Sequence, residues 1–180
     1  MSSIREKATR FPGDAFASRV LANAEINYGD PARASAALGD RTALTGDAVR
    51  LYLAGLARLK LAERDPAQER ALTLEARRFF GDAHKADPNH YPTLYRYGQT
   101  FASDGTPSEN TMNVMLLAQQ LAPQVAEIRL NTAQTLIRRG SYGEAISMLQ
   151  PLSNDPHNRD AAASARSLIE QATARQAQAN

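Results

Sequence analysis

Cysteine and tryptophan are absent from this 180-residue chain, and lysine (3), histidine (3) and aromatics (6 Tyr, 5 Phe) are scarce. Without cysteine there is no disulfide framework, no thiolate zinc site and no cysteine nucleophile. No apolar run approaches the ~20 residues that a membrane-spanning helix needs. Met1 to Arg10 contains no apolar core of a leader peptide, so none is expected there. The cytoplasm is then the default compartment, or the periplasm if the chain belongs to a longer protein. Charge of one sign is also missing: 21 Lys and Arg against 19 Asp and Glu leave +2, so the pI near 9.1 is weak support for nucleic-acid binding. What remains is 43% hydrophobic residues, with 33 alanines and 18 arginines. Alanine loses the least free energy in a helix, so this composition predicts an all-α chain with ample apolar surface for a core.

Internal repetition organises the sequence. Glu127 to Pro156 holds two apolar helical stretches around Arg139-Gly140-Ser141 and closes on Asp155-Pro156. Ala133 and Ala145 fall at the small-residue positions of its two helices, with Leu136 and Leu149 beside them. The same pattern recurs upstream in Ala76, Phe80, Ala83 and Pro88, then in Leu94, Tyr97, Gly98 and Phe101, and earlier in Gly29, Asp30 and Ala34. On these residues the chain resembles the tetratricopeptide repeat family, whose helix-turn-helix unit is about 34 residues long. The resemblance implies an all-α, right-handed superhelix of stacked repeats in a single domain over 1–180. Its units are 15–47, 48–90, 91–125 and 126–159, with a capping helix over 160–180.

The sequence departs from the family pattern in places. The second unit carries an insertion around Ala62-Glu63-Arg64-Asp65, readable as a binding loop or as a lengthened helix pair. Asn110 replaces the small residue of the third unit, and Thr45-Gly46-Asp47 stands where the first unit would close on proline.

Local chemistry supports the same phase. Asp30-Pro31 and Asp65-Pro66 place an N-cap acceptor before a proline, which has no N–H to leave unsatisfied. Thr106 to Glu109 and Ser141 to Glu144 read as capping boxes. Gly55, Gly98, Ala133 and Ala145 are expected to let paired helices approach, and Tyr28, Phe79 and Phe80 to fill the space between helices. At the C-terminus Ala162, Ala165, Leu168, Ile169 and Ala172 share one face, as in a polar-outside cap. Residues 1–14 are expected to be a leading helix, cut short at its start and closed by Pro12; that points to a longer parent chain, the alternative being a short capping helix.

No catalytic constellation is present in the sequence. His84, His90 and His157 lack metal-ligand spacing and read as solvated or loop residues. No HExxH, phosphate loop or GxSxG occurs. The expectation is a chain that is not an enzyme and uses no cofactor or metal. Arg77-Arg78 and Arg138-Arg139 are the only basic doublets, and interleaved acids argue against a phosphate-binding stripe.

In the resembled family the first helices of stacked repeats line a concave groove that holds a peptide or partner helix. Carried over by position, the lining is Arg19, Asn23 and Asn27 in the first unit and Tyr52 and Leu56 in the second. The third contributes Tyr95, Arg96, Gln99 and Ser103, and the fourth Glu127, Asn131, Gln134 and Arg138. Arg19, Asn23 and Arg96 look like part of a clamp for a C-terminal carboxylate, but Leu53 and Pro92 replace two of its members. Tyr52 and Tyr95 read as amphipathic anchors. The expected function is a protein or peptide interaction scaffold without membrane insertion. The alternatives are an accessory segment of a larger enzyme and a self-assembly module that forms homo-oligomers.

Overall fold

Several helices begin where the chain offers a side-chain oxygen to their first free amides. In a computed structural model, which describes residues 2–9, 13–102 and 104–179, Asp14 Oδ1 accepts from the Ala17 amide at 2.6 Å and opens α2 (Ala15–Tyr28). Asp30 Oδ1 accepts from the Ala32 amide at 3.0 Å ahead of Pro31 and opens α3 (Pro31–Leu38). Asp47 Oδ1 accepts from the Arg50 amide at 2.9 Å and opens α4 (Ala48–Arg64), and Ser108 Oγ accepts from the Thr111 amide at 3.1 Å and opens α7 (Glu109–Leu121). Such a cap contributes about 1 kcal/mol. The remaining helices are α1 (Ser2–Thr9), α5 (Glu69–Ala86), α6 (Tyr91–Gln99), α8 (Ala126–Arg139), α9 (Tyr142–Ser153) and α10 (Arg159–Ala179); no strand occurs among the described residues.

Helices thus start at Ala15, Ala48, Tyr91 and Ala126, the first residues of the expected units, and successive helices pack in pairs. The all-α expectation holds. Three cap assignments are corrected. Asp65 ends α4 and binds the Ala67 amide and the Gln68 side chain in a turn, whereas α5 begins only at Glu69. Ser108, not Thr106, caps α7. Ser141 sits at the N-cap of α9 without a side-chain hydrogen bond, so no capping box forms there. The second-unit insertion lengthens the helix pair, giving α4 17 residues and α5 18 residues around a short turn. The expected end of the leading helix at Pro12 lies outside the described residues.

Two compact units divide the chain, Met1–Thr100 and Phe101–Asn180. The 91–125 unit spans this division, with α6 in the first and α7 in the second. In the first unit α2, α3, α4 and α5 bury Ala22, Ala34, Leu38, Leu51, Ala57 and Ala83, together with Leu44 from the α3–α4 connection. Alanines at helix crossings bring the helices close enough for larger side chains to fill the remaining space. Gly55 is the extreme case. A Cβ there would lie 2.5 Å from Phe80 Cε1, and the Phe80 ring is fully enclosed. Ala34, Ala76, Ala83, Ala133 and Ala145, which set the repeat phase, are all fully buried. Asn110 is exposed, and α7 instead turns Thr111, Met112 and Met115 inward.

Tyr28 corrects an expectation. It is 83% exposed, while Phe79 and Phe80 are core. At the end of α2 the helical phase turns Ile26 inward, and the neighbouring Tyr28 position faces water.

In the second unit Ala133, Leu136, Ala145, Leu149 and Ala165 form the core. α10 closes it with Ala161, Ala162, Ala165 and Ala172 buried and Leu168 and Ile169 partly so. Arg166 Nη1 donates to the Ser153 carbonyl at 2.8 Å and satisfies the end of α9.

Candidate binding face on the first helices

The first unit brings the expected residues of α2, α4 and α6 into one neighbourhood. α2 packs on α4, and the Arg19 charge acts on Asp47 at the start of α4. Tyr52 of α4 meets the His90 ring, at the N-cap of α6, edge to face at 5.1 Å, and meets Phe80 at 6.1 Å. Tyr52 also shares a hydrogen bond with Arg96. Arg96 lies over the Tyr95 ring at 5.5 Å and donates to Gln99 Oε1 at 2.8 Å, while Gln99 Nε2 donates to the Tyr95 hydroxyl at 2.7 Å. Spacings of one helical turn along α6 produce this relay, because residues three and four apart share a face.

Burial separates these residues. Tyr95 is only 5% exposed, so its ring supports Arg96 and offers a partner little surface. Tyr52, Leu56, Arg96 and Gln99 are half-buried, and Arg19 likewise. Asn23 and Asn27 are exposed and joined to each other, with Asn27 Nδ2 donating to Asn23 Oδ1 at 3.1 Å. Ser103 lies outside the described residues.

Charges on this face are unevenly matched. Asp47 donates nothing and accepts from the Arg50 amide and from Arg50 Nε at 2.8 Å. Burial pushes the Asp47 carboxyl upward, but the Arg50 hydrogen bonds and the Arg50 and Arg19 charges outweigh it, and the net shift is downward. Neither Arg19 nor Arg96 joins an ion pair among the described residues. Burial raises the Tyr52 phenol, with Arg96 opposing, and lowers His90, with Asp87 opposing.

The residues that sequence reasoning missed are apolar. Phe16 is 67% exposed, Val20 41% and Val49 37%, all in the first helices of the first two units. Phe16, Val20, Asn23 and Asn27 recur at one-turn intervals along the uncovered side of α2, with Arg19 set over the Phe16 ring at 5.9 Å. That periodicity was present in the sequence; an apolar helical stripe ordinarily signals core, which conceals an exposed one.

In the second unit α8 holds the other expected residues. Gln134 and Arg138 are exposed, and Asn131 is half-buried and donates to the Glu127 carbonyl at 2.9 Å. Arg138 donates to the Gly105 carbonyl, which ties α8 to the connection before α7. His90 and His157 lie in connections between helices, as expected, and His84 departs from its solvated reading. His90 is packed under Tyr52 and bonded through Nδ1 to Thr93 Oγ1 at 2.7 Å, and His84 Nδ1 is shielded from water with no hydrogen-bond partner. No group of three or more metal-ligating side chains, and no helix long and apolar enough to cross a membrane, occurs among the described residues. Compared with known proteins, the chain matches no family model and no curated protein.

Proposed function

We propose that the helix pairs stack as tetratricopeptide-like repeats and that the chain is a non-catalytic scaffold, binding a peptide or a partner's extended segment along its first helices. The observation that carries the reading is the uncovered side of α2 and α4. Phe16, Val20 and Val49 stay exposed there beside half-buried Tyr52 and Leu56, although the opposite sides of the same helices are fully packed. Leaving that much apolar surface in water costs about 25 cal/mol per Å², a cost a bound segment would remove. Pre-formed helices lose little entropy on binding, and Asn23, Gln99 and Arg96 can bond a peptide's amides and carbonyls.

Selection of displayed random peptides against the intact chain tests the reading. Val49→Glu places a charge on the proposed face, and Leu74→Glu places one on α5, where Leu74 is also exposed. Both sites are exposed enough for the fold to tolerate the change. Selected peptides should lose binding to Val49→Glu and keep it with Leu74→Glu. The converse pattern, or failure to select any peptide, overturns the reading.

A further inference from the structure

The leading helix sits on a buried acid. The Glu25 side chain on α2 is 1% exposed, whereas that of Arg5 on α1 is 39% exposed and reaches in from outside. Arg5 Nε and Nη2 each donate to one carboxylate oxygen, and the Asp30 amide also donates to Oε2. The neighbouring Asp30 carboxylate is turned onto the Ala32 amide and onto Arg64 of α4. A buried carboxylate stripped of its cation is strongly destabilising, so this seat has to be filled. Its occupant is slight. α1 has eight residues, with Ile4 and Arg5 half-buried and Ser3 and Glu6 exposed. A helix that short is marginal in water and needs a surface to lie on.

We propose that two copies of this chain exchange α1, each setting its Arg5 on the other's Glu25 in a two-fold dimer. A second copy carries the same Ile4-Arg5 pair and the same Glu25, so exchange reproduces every contact of the seat and closes on itself. Only the connection differs between the two forms. Four residues separate the end of α1 at Thr9 from the N-cap Asp14, and the last of them, Gly13, has a φ of +84°. A Cβ there would meet no described atom within 4 Å, so backbone conformation alone calls for glycine. That left-handed residue belongs to the closed form, in which α1 returns to its own α2. In the exchanged form the chain runs on to another copy, and the hinge takes an extended conformation open to any residue.

Sedimentation velocity of the intact chain across a range of concentrations tests this. Gly13→Val should tighten dimerisation about a hundredfold, roughly tenfold for each hinge, because a β-branched residue resists the left-handed region. Adding Arg5→Gln should return that dimer to monomer, and Arg5→Lys, which supplies a single prong, should keep part of it. Phe16→Ser, on the uncovered side of α2, should leave it intact. Because the chain has no cysteine, Ser3→Cys and Ala32→Cys, both at exposed positions, can carry a donor and an acceptor dye on separate copies. Mixed copies should show energy transfer, with the parent hinge reaching it at about a hundredfold higher concentration than Gly13→Val. A Gly13→Val chain that stays monomeric, a dimer that survives Arg5→Gln, a dimer lost with Phe16→Ser, or mixed copies without transfer overturns the proposal.

Discussion

Arg5 and Glu25 join α1 to α2 through a two-pronged ion pair, with Nε to Oε1 at 2.5 Å and Nη2 to Oε2 at 3.0 Å. The Glu25 residue is fully buried, and its Oε2 also accepts the Asp30 amide at 2.9 Å, at the N-cap of α3. One carboxylate thus fastens the leading helix, α2 and the start of α3. The Arg5 hydrogen bond, followed by the Asp30 amide, lowers the Glu25 pKa from 4.5 to about 2. A pKa depressed by folding stabilises the folded state above the unfolded value, and that contribution is lost as pH falls through the folded one. The loss therefore runs from about 4.5 down to about 2. Arg5→Leu should raise the acid-unfolding midpoint and lower Tm at neutral pH, because the buried carboxylate then lacks its cation. Circular-dichroism melts across acidic pH check this. Arg5→Leu melts that track the parent protein at every pH would contradict it.

Gly55→Ala should destabilise by about 1–3 kcal/mol, because the new methyl collides with an enclosed Phe80 ring that has no space to retreat into. Phe80→Leu alone should also destabilise, by removing buried ring surface. Together the two should cost less than the sum of the single changes, since the smaller side chain makes room for the methyl. Denaturant titration of the single and double variants measures the coupling. Strict additivity would show that the close approach is not what requires glycine.

The sequence made the helix phase readable and left the surfaces obscure. Ala34, Ala76, Ala83, Ala133 and Ala145 could be placed because close helix crossings admit only small side chains, and all five are fully buried. Caps were less readable. Asp30 and Ser108 take the first amides of a helix, but Ser141 has the same local signature and makes no such bond. Of the candidate face, Arg96 and Gln99 were legible as neighbours on one helix. The burial of Tyr95 was not, because burial is set by tertiary packing and not by position along the helix. Tyr28 and Phe16 show the same limit from the other side. Both are exposed aromatics at helical spacing, and only the tertiary arrangement reveals that no described residue of their unit buries them.

Arg166→Ala should lower the stability of the second unit by about 1 kcal/mol, since the Ser153 carbonyl at the end of α9 loses its charged donor. Arg166→Lys should recover part of the loss, because an ammonium can reach a single carbonyl without the fork geometry. Amide hydrogen exchange in α9 and α10 would locate the effect. Protection unchanged in both helices would remove Arg166 from the account of how α10 is held.

Arg19, Asn23 and Arg96 should separate rather than act as one set. Arg19→Ala and Asn23→Ala remove side chains that carry no described ion pair and sit half-buried or exposed, so Tm should stay within a degree or so, as for ordinary surface substitutions. Arg96→Ala is different. It strips the cation from the Tyr95 ring and leaves Gln99 Oε1 and the Tyr52 hydroxyl without their donor, which should cost about 1 kcal/mol before any ligand is present. Gln99→Leu should reproduce part of that cost by removing the Gln99 Nε2 hydrogen bond to the Tyr95 hydroxyl. If the face binds peptides, all three alanine variants should weaken binding, but only Arg96→Ala should also lower Tm. Differential scanning fluorimetry beside anisotropy on the same samples makes the distinction. A Tm loss at Arg19 equal to that at Arg96 would mean that the first helix depends on this cation for its fold, and would recast Arg19 as a structural residue.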